Sequence, residues 1–264
     1  MKYETDVVII GSGPVGLFAV FELGLLNLKC HLIDNLDKIG GQCSELYPEK
    51  PIYDIPAYPR ITGQELTNKL MDQIKPFEPT FHLNQQAESI TKVEDQWQIT
   101  TSNNIIINAK CIVIAAGAGS FVPRRPSIEN IEAFENKSVF YSIKEKSKFK
   151  DKKILIAGGG DSALDWTNEL ASLCEVTLIH RRKEFRAAPE SVNKMLDLES
   201  QGKVKFLLGQ ISSIEGNEGK ISKINYTFEE KESFVQVDYL LPFFGLKMEL
   251  GPIANWGLNL EKNL

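Results

Sequence analysis

Glycines at fixed spacing, followed by one carboxylate, form the first chemically informative pattern in the sequence. Gly11-Ser12-Gly13-Pro14-Val15-Gly16 matches G-x-G-x-x-G, and Asp34 ends the next apolar run. Such a loop brings backbone close to a pyrophosphate at the positive end of a helix, and the acid accepts from ribose hydroxyls. Glycine turns are common, but the apolar strand before this one and the helical pattern after it favour dinucleotide binding. Because Asp34 would repel a 2′-phosphate, the site should take the unphosphorylated adenosine of FAD or NAD.

A second loop repeats the pattern and ends on the opposite charge. Gly158-Gly159-Gly160-Asp161-Ser162-Ala163 matches G-x-G-x-x-A, and His180-Arg181-Arg182 with Arg186 follows where the first unit has its acid. Arginine presents a planar fork of donors that matches a phosphate. A basic run of this kind is often only a solvated surface, but its position favours selection of NADP over NAD.

The elements around each loop must position these residues. Each loop is predicted to lie inside a strand–turn–helix–strand unit, which is the start of a parallel sheet. The predicted elements are strand 6–10, helix 15–25 and strand 29–34 in the first unit, and strand 153–157, helix 162–173 and strand 175–180 in the second. The chain is therefore predicted to be an α/β protein built on two such units.

The remaining segments complete the two domains. Residues 40–59 contain too many turn residues for regular structure, and 63–75 should form an amphipathic helix. The further predicted strands are 87–94, 96–101, 104–108, 111–115, 204–209, 221–228 and 233–242. Prolines at 123 and 126 mark a boundary, and 242–246 should return the chain to the first domain. The predicted domains are thus 1–117 with 246–264, and 118–245.

Composition restricts the function classes. The net charge of -5 gives no reason to expect nucleic-acid binding. No apolar segment is long enough to predict a membrane span, and no signal-peptide pattern is visible, so we expect a cytoplasmic protein. The four cysteines include no Cys-x-x-Cys pair, and the three histidines form no metal-ligand pattern.

With both loops placed, further motifs give the chain a family resemblance. The residues that carry it are Gly11–Gly16, Gly40-Gly41-Gln42-Cys43, Leu46-Tyr47-Pro48-Glu49-Lys50, Tyr53-Asp54-Ile55-Pro56, Ala115-Ala116-Gly117-Ala118-Gly119, Phe121 with Pro123, Gly158–Ala163, and His180-Arg181-Arg182 with Arg186-Ala187. The chain resembles the two-dinucleotide flavoproteins, and more narrowly the bacterial ferredoxin–NADP(+) reductases of the thioredoxin-reductase-like type. The resemblance implies two Rossmann-like domains, 1–117 with 246–264 for FAD and 118–245 for NADPH.

The resemblance also implies roles for individual residues. Asp34 would bind the adenosine ribose of FAD, Gln42 would lie near the flavin, and Tyr47 would stack on the isoalloxazine. The implied cofactor-binding residues are Gly11, Gly13, Pro14, Val15, Asp34, Gln42, Tyr47, Ala87 and Phe121 for FAD, and Gly158, Gly160, Asp161, Ser162, Arg181, Arg182 and Arg186 for NADPH. Without the resemblance, Tyr47 and Phe121 would be read as core aromatics and Ala87 as strand packing.

The implied reaction moves electrons between NADPH and a carrier protein. NADPH would give a hydride to the flavin, and single electrons would then pass to ferredoxin or flavodoxin, so no general acid or nucleophile is predicted. Thioredoxin reductases carry a Cys-x-x-Cys before the second glycine loop, whereas residues 139–144 here lack cysteine. Cys43 is interpreted as packing. Reduction or monooxygenation of a small molecule, and a non-catalytic nucleotide-binding remnant, are the rival interpretations.

Two further expectations come from the resemblance. Family members continue past the position of Leu264 with a Gly-Asp motif and a final strand of the first sheet, so we expect an unpaired sheet edge and an incomplete flavin pocket. Members also tend toward homodimers, although no pattern in this chain indicates an oligomeric state. A lysine run would be either a solvated surface or a docking face for an acidic carrier; it comprises Lys144, Lys146, Lys148, Lys150, Lys152 and Lys153.

Overall fold

The computed structural model describes residues 1–261, which form two compact units. The first contains Met1–Val122 and the chain from Met248 onward, and the second is Pro123–Lys247. The sequence pattern places the corresponding boundaries after residues 117 and 245. Both units are α/β, as predicted, and each contains one glycine loop.

The first unit is built on a six-stranded sheet with helices beside it. Its strands are β1 (Lys2–Ile10), β2 (Cys30–Ile33), β3 (Pro51–Ile52), β4 (Ile61–Thr62), β5 (Thr80–His82), β6 (Ala87–Val93), β7 (Gln96–Thr101) and β8 (Ile106–Ile114). Its helices are α1 (Pro14–Leu25), α2 (Gln42–Glu45) and α3 (Gly63–Ile74), with short 3-10 turns at Lys75–Phe77 and Gly251–Asn255.

Strand β1 is the centre of that sheet. The strand order is β5-β2-β1-β8-β7-β6, with parallel pairing from β5 to β8 and antiparallel pairing from β8 to β6. Val7–Ile10 of β1 is buried throughout, as expected for a parallel strand covered on both faces. Val7 and Ile9 pack in the cluster that contains Leu17 of α1, and Val8 and Ile10 pack in the opposite cluster. These two layers fix the strand end from which the first glycine loop begins.

Two strands predicted separately, 104–108 and 111–115, form the single strand β8. Asn104 adopts a left-handed conformation with φ 58° in the preceding turn, so the strand begins only at Ile106. The polar residues in the middle of this segment indicate a break between two strands, and this prediction is wrong. Asn108 pairs with Glu4 of β1 on one side and with Gln98 of β7 on the other.

The second half of β8 has one neighbouring strand. Residues up to Ala109 pair with β7, whereas Cys111–Ile114 pairs with β1 on one side. Within residues 1–261 no strand pairs with the other side of Cys111–Ile114, and Ile114 is 42% exposed.

The second unit combines a parallel and an antiparallel sheet. Its elements are β10 (Lys153–Ala157), α4 (Asp161–Leu170), β11 (Glu175–His180), α5 (Pro189–Ser200), β12 (Val204–Leu208), β13 (Gln210–Asn217), β14 (Lys220–Phe228), β15 (Lys231–Val235) and β16 (Tyr239–Pro242), with 3-10 turns at Ile131–Ala133 and Lys146–Phe149. The parallel order is β12-β11-β10-β16, and β13-β14-β15 form the antiparallel sheet. Strands β9 (Ser120–Pro123) and β17 (Leu246–Glu249) form a two-stranded sheet at the chain crossings.

Three elements of the second unit differ from the sequence prediction. The predicted strand 233–242 is divided into β15 and β16, because Asp238 instead bonds the backbone of Lys153 through its carboxylate and its N–H. Strand β13 and helix α5 were not predicted. Helix α5 buries one residue, Met195, so its sequence lacks the apolar stripe that predicts a helix.

In the first unit, α2, β3 and β4 also lie where no regular structure was predicted. Residues 42–45 and 51–52 fall in the segment interpreted as loop, and each element is only a few residues long. None of the helices in the described part of the chain is long and apolar enough to cross a membrane.

Strands β2 and β5 are joined by a pair of histidine side chains. His31 Nδ1 lies 3.0 Å from His82 Nε2, and the Tyr3 ring meets both imidazoles edge-on. One ring must donate and the other accept, so this hydrogen bond exists only while at least one ring is neutral. Burial lowers the pKa of both histidines, and the neighbouring His82 lowers that of His31 further.

We expect the free energy of unfolding to fall as the pH drops below about 6.5, the pKa of histidine in an unfolded chain. The lowered pKa values mean that the unfolded chain binds protons in a range where the folded chain does not, so acid favours unfolding. Urea unfolding at several pH values between about 5 and 8 measures this slope. A His31→Asn/His82→Asn variant should show a flatter slope, not a flat one, because burial lowers the pKa of His180 as well. If the free energy of unfolding changed equally with pH in the variant and the parent, the pH dependence would not come from His31 and His82.

Candidate functional site

The first glycine loop is held against the sheet by contacts that only glycine permits. Gly11 has φ +105°, and a Cβ there would collide with the carbonyl oxygen of Ala115. A Cβ at Gly16 would collide with the carbonyl oxygen of Gly11. The Gly11 N–H donates to the Ile33 carbonyl at 2.9 Å, so the turn is joined to the end of β2. The loop therefore crosses the strand ends at backbone contact distance, as the motif predicts.

Helix α1 begins directly after this loop with its first turn uncapped. Gly13 is the N-cap in an extended conformation, Pro14 is the first helical residue, and no side chain caps the free N–H groups. A Cβ at Gly13 would have only the Cα of Gly41 within 4 Å, at 3.9 Å. Val15 is 71% exposed although it is apolar. The uncapped helix terminus with space above it fits a pyrophosphate.

Asp34 is bonded to the glycine loop itself. Its Oδ2 accepts from the N–H and the hydroxyl of Ser12, at 2.6 and 2.7 Å, and its Oδ1 accepts from the Leu36 N–H at 2.9 Å. A carboxylate has about four acceptor positions, so one remains for a ribose hydroxyl. Ser12 is completely buried. The sequence prediction missed this role of Ser12, which occupies a variable position of the motif.

The Gly40-Gly41-Gln42 segment lies against the same loop. The Gly40 N–H donates to the Ser12 carbonyl at 2.9 Å, and Gly41, with φ +56°, would bring a Cβ to 3.0 Å from the Cα of Gly13. Gln42 is the first residue of α2 and is half-buried. Gln42 thus directly follows the two glycines that contact the first loop, and its place near the flavin stays a prediction.

Tyr47 follows α2 and is half-buried on a small apolar cluster. It packs with Cys43, Ile61 and Leu66, and the Cys43 thiol points to its hydroxyl at 3.9 Å. Burial raises the pKa of both Tyr47 and Cys43, so both side chains are neutral near pH 7. The Lys50 ammonium lies 5.7 Å from the ring centroid, close enough for a cation–π contact.

Ala87 and Phe121 lie on separate strands. Ala87 opens the edge strand β6, is 4% exposed and packs in the same cluster as Val8 and Ile10, so only its backbone can reach a ligand. Phe121 lies half-buried in β9. Within residues 1–261 no hydrogen bond or ring contact joins either side chain to the first glycine loop, so their FAD roles stay predictions.

The second glycine loop repeats the geometry of the first. Gly158 has φ +154°, its N–H donates to the Ile179 carbonyl at 3.1 Å, and a Cβ there would crowd the Phe243 carbonyl. Gly160 is the extended N-cap of α4, which begins at Asp161 and has no side-chain cap. A Cβ at Gly160 would meet nothing within 4 Å, and Ser162 is exposed in the first turn. This terminus also has room for a phosphate.

The arginine loop, residues 181–188, is bonded to the second glycine loop. The Arg186 N–H donates to the Gly159 carbonyl at 2.7 Å, and the Ala188 N–H donates to Asp161 Oδ1 at 2.8 Å. Arg181, Arg182 and Arg186 are exposed, and none forms an ion pair within residues 1–261. The structure therefore joins the arginine loop to Gly159 and Asp161, and it gives the Asp161 carboxylate a structural bond that the sequence prediction missed. The NADPH contacts of the three arginines, Gly160 and Ser162 stay predictions.

Two aromatic rings that the sequence prediction did not assign support this loop. The His180 ring lies against Gly159, where a Cβ would collide with it, and stacks on Phe185 with centroids 5.4 Å apart and planes at 23°. Phe185 in turn lies 5.4 Å from Phe206 of β12. Burial lowers the pKa of His180, and Arg181, Arg182 and Arg186 lower it further, while a hydrogen bond with the Glu184 backbone raises it. In the sequence, the only indication of this ring support was the aromatic residue Phe185 between Arg182 and Arg186.

The lysine run is partly engaged by the protein's own surface. Lys146 pairs with Glu169 at 2.7 Å, and Lys153 lies 3.9 Å from Glu175. The Lys148 ammonium lies 3.6 Å from the Phe140 ring centroid. These contacts favour the interpretation of the run as a solvated surface over that of a docking face.

Comparison with known proteins gives the family. Residues 5–263 match the pyridine nucleotide-disulphide oxidoreductase family. A ferredoxin–NADP reductase of Nitrobacter winogradskyi is 56% identical over 264 residues, which are 99% of this chain and 77% of that protein. One of Parvibaculum lavamentivorans is 56% identical over 263 residues, which are 98% of this chain and 77% of that protein.

Solved structures agree on the fold. A Lactococcus lactis thioredoxin reductase matches with a TM-score of 0.83 and 25% identity over 97% of this chain and 82% of its own. A thioredoxin reductase of T. acidophilum has a TM-score of 0.85 at 18% identity over 98% of this chain and 83% of its own. The chain therefore belongs to the pyridine nucleotide-disulphide oxidoreductase family, as an oxidoreductase of thioredoxin-reductase-like fold whose relatives at 56% identity are ferredoxin–NADP reductases.

Proposed function

We propose that this protein transfers electrons between NADPH and ferredoxin or flavodoxin, with FAD at the first glycine loop and NADPH at the second. The observation that carries the proposal is the contrast between two otherwise matching loops. Each opens an uncapped helix, but Asp34 follows the first, and Arg181, Arg182 and Arg186 follow the second. Two loops of one geometry and opposite charge fit two different dinucleotides.

The first loop fits FAD because it can hold a pyrophosphate and exclude a 2′-phosphate. The free N–H groups of Gly13 and Val15 would bind the pyrophosphate beside Pro14, and the remaining acceptor position of Asp34 would take a ribose hydroxyl. Gln42 and Tyr47 would hold the flavin portion, and Ala87 and Phe121 would contact the adenine and the flavin respectively. Gln42 follows the glycines beside the first loop. The proposal adds FAD contacts for Tyr47, Ala87 and Phe121, which lie on neighbouring segments.

The second loop fits NADPH because its charges suit a 2′-phosphate. Three exposed guanidinium groups without ion pairs in the described residues offer forked donors beside the helix terminus at Gly160–Ser162. When both nucleotides are bound, the nicotinamide supplies a hydride and the flavin converts that electron pair into single-electron transfers. The protein's residues bind and orient the two cofactors, and none is assigned a proton-transfer role.

A one-electron carrier protein is the proposed acceptor because the chain lacks a redox dithiol. The described cysteines are free, and Cys43 is buried against Tyr47. The relatives at 56% identity carry the name ferredoxin–NADP reductase, which supports ferredoxin as the carrier. A cytoplasmic location and a homodimer complete the proposal, and both rest on the sequence interpretation alone.

Addition of FAD to the purified chain should produce a bound-flavin absorption spectrum that anaerobic NADPH bleaches. Bleaching should be slower with NADH, because NADH lacks the phosphate that the arginines bind. Subsequent addition of oxidised ferredoxin should restore the flavin absorption. Equal bleaching rates with NADH and NADPH would contradict the second site. Failure to bind flavin would mean that the expected incomplete pocket of residues 1–264 does not hold FAD by itself.

Asp34→Ala should weaken FAD binding and lower the free energy of unfolding by about 1–3 kcal/mol, because the buried Ser12 N–H and hydroxyl lose their acceptor. Equilibrium dialysis with FAD and urea unfolding measure the two effects. Asp37→Ala removes an exposed carboxylate nearby and should change neither. An Asp34→Ala variant as stable as the parent would show that the hydrogen bonds from Ser12 to Asp34 do not stabilise the folded chain.

Arg181→Ala/Arg182→Ala should weaken binding of adenosine 2′,5′-bisphosphate by roughly 100-fold or more, since each of the two lost charge-assisted hydrogen bonds contributes about 1.5–3 kcal/mol. Binding of ADP, which lacks the 2′-phosphate, should change little. Calorimetric titration compares the two ligands, and Lys231→Ala removes an exposed cation of the same unit as control. Equal losses for both ligands would indicate a general charge effect instead.

A further inference from the structure

We infer that Phe185 and His180 are positioning residues that hold the arginine loop in the conformation that selects a 2′-phosphorylated nucleotide. The inference rests on the proposed NADPH site and adds to it the residues that set its selectivity. It concerns side chains that do not themselves bind the phosphate.

The arginine loop needs a restraint because its own charges oppose its conformation. It carries exposed cations at 181, 182, 183 and 186 and has no helix or strand along residues 181–188. The three arginines have no ion pair in the part of the chain that the structure describes. Like charges on an irregular exposed segment favour a spread of conformations over one.

The backbone bonds restrain only the end of the loop. The N–H groups of Arg186 and Ala188 donate to Gly159 and to Asp161, which fixes the loop where it enters α5. Arg181 and Arg182 lie several residues before these bonds. Their positions depend on the residues on either side of them, His180 and Phe185.

The two rings restrain this first half of the loop. His180 lies between Gly159 and Phe185, and Phe206 of β12 lies behind Phe185. The stack therefore connects the glycine loop, the arginine loop and the parallel sheet, and it fixes both ends of the segment that carries Arg181 and Arg182.

Selectivity for a 2′-phosphorylated nucleotide follows from the single conformation in which the stack holds the arginine loop. A loop whose backbone is already ordered binds a phosphate without losing backbone entropy on binding, whereas a mobile loop must lose it. A nucleotide without the 2′-phosphate uses the helix terminus at Gly160–Ser162 and gains nothing from the ordered arginines. Loss of the stack should therefore weaken binding of the 2′-phosphate selectively.

The test is calorimetric binding of adenosine 2′,5′-bisphosphate and of ADP to the whole chain, with no flavin required. Phe185→Ala should weaken bisphosphate binding by about tenfold, while ADP binding changes by less than about twofold. Phe185→Tyr keeps the stacked ring and should bind both ligands like the parent. Phe234→Ala makes the same truncation at a 59% exposed phenylalanine of β15 and should also bind like the parent.

The outcomes separate this inference from the proposed function. If the parent chain does not prefer the bisphosphate to ADP, the NADPH assignment itself is wrong. If the parent prefers it and Arg181→Ala/Arg182→Ala loses the preference while Phe185→Ala keeps it, the positioning role is overturned. Should Phe185→Ala fail to give a cooperative unfolding transition, Phe185→Leu decides, because leucine fills the space against Phe206 without stacking on His180. Retained preference in a folded Phe185→Leu variant then overturns the inference.

Discussion

The absence of side chains at a few glycines is the constraint on which both nucleotide sites depend. A helix terminus can lie over the ends of parallel strands only if the connecting turn contacts backbone directly. At Gly11, Gly16 and Gly158 a single Cβ would collide with a carbonyl oxygen of a neighbouring segment. At Gly160 there is no such collision and the space is open. The first kind of glycine builds the turn, and the second leaves room for a ligand.

Charge at the end of the following strand distinguishes the two sites. Asp34 and the arginine loop occupy corresponding positions, one after β2 and the other after β11. Each is also bonded to its own glycine loop, through Ser12 in the first unit and through Gly159 and Asp161 in the second. At the first site the Asp34 carboxylate has both the structural and the proposed binding role. At the second site the guanidinium groups are proposed to bind the phosphate, and the backbone N–H groups of Arg186 and Ala188 hold the loop.

Long-range contacts account for the elements that the sequence pattern missed. Strand β8 continues through polar residues because Asn108 is paired on both sides, and Asp238 ends β15 by bonding to Lys153 at the start of β10. Helix α5 forms with one buried residue. In each case tertiary pairing stabilises a segment whose local pattern indicates something else.

The sequence by itself determined the α/β class, the two glycine loops, most strand and helix positions around them, and the opposite charges that follow. These follow from local rules, because glycine spacing and apolar runs act over a few neighbouring residues. Only the tertiary structure decided that Ser12 holds Asp34, that Gly40 and Gly41 lie on the first loop, and that His180 and Phe185 stack on each other against Gly159. Most of these contacts join residues far apart along the chain, and even neighbours such as His180 and Phe185 are brought face to face by the sheet and glycine loop around them. Their side chains meet only after the sheet has set the distance between them.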